Sequence, residues 1–139
     1  PGARAWVWRW TGPGNVRDEK SGLGLALQVP YTPNEYPIRW HFNAYPTLKH
    51  GGAFQLRLRL KARTAEGAVL EVGSYSPQRG FQRAATIDGA AIPPDYTWVD
   101  AGRITLEPNP ADGYLYIRAL KDAKIEDLRV DAIVAEPVK

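Results

Sequence analysis

The chain has 139 residues, 44% hydrophobic and 24% charged, with a formal net charge of +3. That is the length of one domain with apolar content enough for a core, which argues against disorder. Cysteine is absent and there are 2 histidines, so disulfides, thiol nucleophiles, Cys-based zinc sites and a three-histidine metal site are excluded.

No apolar run approaches the roughly 20 residues that span a bilayer. No dense Lys/Arg run, recognition-helix pattern or RNA-binding signature is present. Neither a membrane nor a nucleic acid is therefore expected as a partner. The chain opens Pro1-Gly2, holds no methionine and shows no signal peptide, so we read it as a mature fragment or an excised domain.

With 13 glycines and 12 prolines spread in short clusters, the segments between them are short and alternate with period two. In chain order, "AWVWRW" comes first and sets Trp6, Trp8 and Trp10 on one side of a strand. Its other side, Ala5, Val7 and Arg9, makes a poor core face, so Trp8 is expected inward, with Trp6 and Trp10 nearer the rim. "GLALQV" (24–29) follows, then "PIRWHFN" (37–43), where Ile38, Trp40 and Phe42 oppose Arg39, His41 and Asn43.

The clearest strand is "AFQLRLRLKA" (53–62). Phe54, Leu56, Leu58 and Leu60 face one way and Gln55, Arg57, Arg59 and Lys61 the other, the pattern of a sheet with one dry and one wet face. Further strands are expected at 68–75, 83–87, 96–99, 103–106, 113–119 and 127–135. Segments such as "KHGG", "SPQRG" and "EPNPADG" supply turns between them. Only 122–129 imitates a helix, and it leaves room for a turn or two. The expectation is one all-β domain over 1–139, about nine strands in a two-sheet antiparallel sandwich or jelly roll, without substantial helix.

Several of these segments, in this order, resemble the galactose-binding-like jelly rolls that serve as carbohydrate-binding modules. "SGLGLALQV" (21–29) is similar to their glycine turn and early strand, and "FQLRLRLKA" to their long central strand. "GSYSP" (73–77), "DYTWVDAGRITL" (95–106), "GYLYIRAL" (113–120) and "IEDLRVDAIVAE" (125–136) resemble their second half. The resemblance implies a secreted, monomeric, non-catalytic module that binds a polysaccharide. It would be joined in the same chain to a parent glycoside hydrolase or polysaccharide lyase. It also implies a structural calcium ion near the end of the last strand, where Asp131 stands, with Asp18 or Glu19 as companion. The alternative for Asp131 is an ion pair with Arg4 or Arg129.

Sugar binding calls for rings that stack on a pyranose and planar polar groups that fix its hydroxyls. Tyr114, Tyr116 and Arg118 alternate with Leu115, Ile117 and Ala119 and share one face. Arg57 and Arg59, on the wet side of the central strand, join them if the two strands are neighbours, and arginine's fork suits a uronate carboxylate. The plainer expectation for these cations is salt bridging to Glu66, Glu71 or Glu107. Arg39 and His41 form a third polar set. Tyr31, Tyr36, Tyr45 and Tyr75 are candidate rim aromatics, whereas Trp98, in a strand-like run, is expected in the core.

A structural or protein-interaction sandwich without sugar binding is the first alternative. The second is a small jelly-roll lyase using a Tyr or His base beside Arg59. The small domain, and acidic residues such as Glu66 and Glu71 lying near turns, favour a chain that is not an enzyme.

Overall fold

The structure, a computed structural model, describes residues 6–8, 15–22, 24–29, 38–41, 51–108, 112–120 and 123–138, with backbone alone at 6–8, 38, 40 and 41. In chain order the strands are β1 (Trp6–Trp8), β2 (Asn15–Arg17), β3 (Leu25–Val29), β4 (Ile38–His41), β5 (Gly52–Lys61) and β6 (Thr64–Glu66). β7 (Ala68–Ser76), β8 (Gly80–Asp88), β9 (Thr97–Leu106), β10 (Tyr114–Ala119), β11 (Lys124–Glu126) and β12 (Leu128–Pro137) complete them. One 3₁₀ turn, Gly89–Ala91, lies between β8 and β9.

All pairings are antiparallel. The first sheet runs β2-β3-β12-β5-β9, and β1 pairs with β12 beyond the stretch that β3 occupies. The second sheet runs β4-β10-β7-β8, and β6 and β11 form a separate short ribbon. The two main sheets contribute to one buried cluster: Leu27, Phe54, Leu56, Leu58, Leu60 and Ile133 from the first, Leu70, Val72, Leu115 and Ile117 from the second. Burying each such side chain is worth about 1.5–3 kcal/mol. The fold class is therefore all-β and sandwich-like, as the alternation requires.

The expected strands at 96–99 and 103–106 are one strand, β9. Its pairing with β5 shifts between Gln55 and Arg57, and Gly102 sits there at φ +81°, the mark of a bulge. A Cβ at Gly102 would run into the backbone of Ala84, where the edge strands of the two sheets approach each other. The helix-like segment 122–129 holds β11 and the start of β12, joined at Asp127 with φ 53°. A short polar side chain tolerates that left-handed turn. The "AWVWRW" backbone pairs Trp6–Trp8 with Ala135–Ile133, so a sheet-joining strand is present there. The direction of the tryptophan side chains, and the tyrosines at 31, 36 and 45, lie outside the described residues.

Candidate functional site

The strand register decides which expected site residues meet. On β10, Leu115 and Ile117 turn inward, which turns Tyr114, Tyr116 and Arg118 to the outer face of the second sheet. Opposite them on β7 stand Tyr75, Gly73 and Glu71. β8 adds Phe81 opposite Tyr75 and Arg83 opposite Gly73. On the other side β4 sets Arg39 opposite Tyr116 and His41 opposite Tyr114, the latter described in its backbone alone.

The rings form a continuous cluster. Tyr75 stacks on Tyr114 with centroids 5.3 Å apart and meets Phe81 at 4.8 Å, while Phe81 stands edge-on to Tyr116 at 5.8 Å. The Arg39 guanidinium lies 4.7 Å from the centre of the Tyr114 ring, a cation–π contact. Tyr116 lies against β7 because residue 73 is glycine: a Cβ there would fall 2.7 Å from the Tyr116 hydroxyl and collide with the backbone carbonyl of Gln82. The Tyr116 hydroxyl donates to Glu71 Oε2 at 2.7 Å, and Arg118 Nη2 donates to the same oxygen at 3.1 Å. Burial, followed by the hydrogen bond to Glu71, pushes the Tyr116 hydroxyl well above the usual phenol range.

Exposure divides this set. Tyr114 and Tyr116 are buried and act as floor, whereas Phe81 is 65% exposed and Tyr75 partly so. Arg39, Arg83 and Arg118 are exposed. Phe81, Gly73 and Arg83 were not singled out from the sequence, and Glu71 only as a salt-bridge partner. The signal was present in "SYSPQRGF": a hairpin turn at 77–79 pairs Ser76 with Gly80, which sets Tyr75 across from Phe81. Tyr75 belongs to a strand rather than to a rim loop.

Arg57 and Arg59 do not join this surface, because β5 lies in the other sheet. There each cation of the β5 wet face meets an acid. Arg57 pairs with Glu136, Arg59 Nη1 with Asp131 Oδ2 at 2.6 Å, and Lys61 Nζ with Asp18 Oδ2 at 2.9 Å. These partners differ from the Glu66, Glu71 and Glu107 expected from sequence. Trp98 is corrected as well: it lies on the outer side of β9, 42% exposed, with Arg57 over its ring at 5.8 Å.

Asp18 and Asp131 come together, but with cations between them. A bulge in β12 sets both Asp131 and Ala132 against Arg59, turning the buried aspartate toward the guanidinium. Asp131 Oδ1 accepts from Gly22 N at 2.9 Å, and Arg59 Nη1 also reaches the Lys20 carbonyl at 3.5 Å. Asp18 Oδ2 accepts from Tyr96 Oη at 2.9 Å and Arg129 Nη1 at 3.1 Å besides Lys61, and its Oδ1 from Lys20 N at 3.1 Å. Burial alone would raise the Asp18 carboxyl, but the hydrogen bonds from Lys61, Tyr96, Lys20 and Arg129 outweigh it and hold Asp18 far below the usual carboxylate range. Burial, with the bond to Asp18, raises the Tyr96 phenol.

A calcium ion takes several oxygen ligands. Here the oxygens of Asp18 and Asp131 are met by N–H and O–H donors, and Arg59 stands between a carboxylate and a carbonyl where such an ion would sit. Glu19 is exposed to solvent, and no group of three metal-ligating side chains occurs among the described residues. The arrangement does not fit calcium. It is an internal ion-pair cluster that ties residues 18–22 to β5, β12 and Tyr96.

Among the described residues no helix is long and apolar enough to cross a membrane. In comparisons with known proteins, no family model matches the chain, and no curated protein matches it. The class is thus set by the fold, an antiparallel all-β protein.

Proposed function

We propose that this chain is a non-catalytic carbohydrate-binding module whose platform is the outer face of the second sheet. In this reading it is secreted and directs a parent enzyme to a polysaccharide. The observation that carries the reading is Phe81, an aromatic ring 65% exposed on a strand, braced by Tyr75, Tyr114 and Tyr116 and flanked by arginines. A braced ring stacks on a sugar with little loss of side-chain freedom. The Glu71–Arg118 pair beside it offers an acceptor and a donor to neighbouring hydroxyls, as diol recognition requires. An affinity gel or glycan array tests this: wild type is retained by at least one polysaccharide and Phe81→Ala is not. Absence of retention at millimolar ligand overturns it.

Two observations favour a second reading, a structural or protein-interaction sandwich without sugar binding. The tyrosines of the platform are buried, and the first sheet's face is closed by ion pairs. The lyase reading is weaker. A phenol acting as base needs a lowered pKa, whereas Tyr116 is held as a donor to Glu71 with its pKa raised.

A further inference from the structure

We infer that the platform takes a carboxylate-bearing glycan lying across the strands, with Arg39 and Arg83 as its carboxylate readers; this deepens the sugar-binding reading and rests on it. Arg57, Arg59, Arg63, Arg79, Arg118 and Arg129 each pair with an acid. Among the described residues Arg17 and Arg103 of the first sheet and Arg39 and Arg83 of the second have no carboxylate partner, and Arg39 and Arg83 are both exposed.

Their positions are not scattered. Tyr116 is in register with Arg39 on one side and Gly73 on the other, and Gly73 is in register with Arg83. The two arginines therefore bracket one cross-strand row, three strand spacings apart, which is about 14 Å. That span matches a few sugar units of an extended chain. In the adjacent row Phe81, two residues from Arg83 on β8, supplies the ring for stacking. Glu71 keeps Oε1 without a hydrogen bond among the described residues, so it is available to a hydroxyl.

Glu71 also decides between kinds of anion. Its carboxylate lies beside the row, against the Tyr116 hydroxyl, and repels a continuous polyphosphate backbone. It accepts readily from a sugar hydroxyl, a donor that a polyphosphate chain lacks. The guanidinium fork matches a uronate carboxylate bidentately, and that pairing is the source of selectivity over a neutral glycan.

The test uses the full chain, a linear oligouronate, and the same oligosaccharide after carboxyl reduction, in calorimetric titrations at low and physiological ionic strength. The oligouronate should bind roughly tenfold or more tightly than its reduced form, and salt should narrow the gap. Arg39→Gln and Arg83→Gln should each shrink that preference roughly tenfold, and Arg83→Lys should restore part of it. Trp98→Ala, on the other sheet, should change neither titration. Equal binding of the two oligosaccharides, or a preference intact in both Gln variants, overturns the acidic-ligand inference while leaving sugar binding standing. Binding to neither overturns sugar binding itself. Tighter binding to a single-stranded oligonucleotide overturns both.

Discussion

On the outer face of the first sheet, Arg57, Arg59 and Lys61 rise from alternate positions of β5, and each meets an acid carried by another part of the chain. On the outer face of the second sheet, Tyr114, Tyr116 and Arg118 rise from alternate positions of β10 just as regularly. They meet Tyr75, Gly73 and Glu71, with Phe81 and two unneutralised arginines around them. Both faces obey period two, yet the cations of β5 are all ion-paired, with Trp98 partly exposed beside them, whereas Phe81, Arg39 and Arg83 of the second sheet are exposed without ion pairs among the described residues. Identical alternation thus yields ion-paired or unpaired cations according to which strand is laid alongside.

The largest effect on stability is expected at Asp18. Asp18→Ala leaves Lys61, Arg129 and the Tyr96 hydroxyl without their acceptor in a buried site and should cost about 3–5 kcal/mol in denaturant unfolding. The pH dependence has the matching sign. Because the folded-state pKa of Asp18 lies below its ordinary value of 3.8, its contribution is complete above that value and is lost as pH falls toward the folded-state pKa. Asp127, lowered by its hydrogen bond from Arg129, adds in the same direction. Wild type should therefore lose stability steeply below about pH 4, and the Asp18→Ala variant less steeply.

Gly73→Ala should come next. Its Cβ collides with the Gln82 carbonyl and the Tyr116 ring, an overpacking expected to cost about 1–3 kcal/mol and to displace the aromatic floor. Phe81→Ala should separate stability from binding. Its exposed ring predicts a change within about 0.5 kcal/mol in unfolding, together with loss of glycan retention. Arg57→Ala should be smaller still in both respects, since its pair with Glu136 is more than a third exposed on each side and screened by solvent. Chelation should leave the thermal midpoint unchanged, because donors of the chain itself occupy the oxygens of Asp18 and Asp131. A drop on chelation would show that the two outer faces differ in more than their ion pairs.

How far the sequence could be read follows from which interactions are local. The dry side of β5 and the shared face of Tyr114, Tyr116 and Arg118 follow from alternation, a property of consecutive residues. Trp98 misled because a bulge at Gly102 merges two apparent strands and a tryptophan in an apolar run looks buried from sequence alone. Asp131 misled for a related reason. A carboxylate at the end of the last strand invites a cation, and nothing in the sequence says that the cation is the arginine of β5, 72 residues away.

The sequence by itself determined the all-β class, the strand directions of the chemistry-bearing residues and the absence of thiol chemistry, because composition and period are carried by the chain locally. The tertiary structure alone decided that β10 lies between β4 and β7 rather than beside β5. It thereby set Arg57 and Arg59 in ion pairs of the first sheet and left Phe81, Arg39 and Arg83 exposed on the second. Strand order is set by burial of the common core across long separations, and no local pattern encodes it.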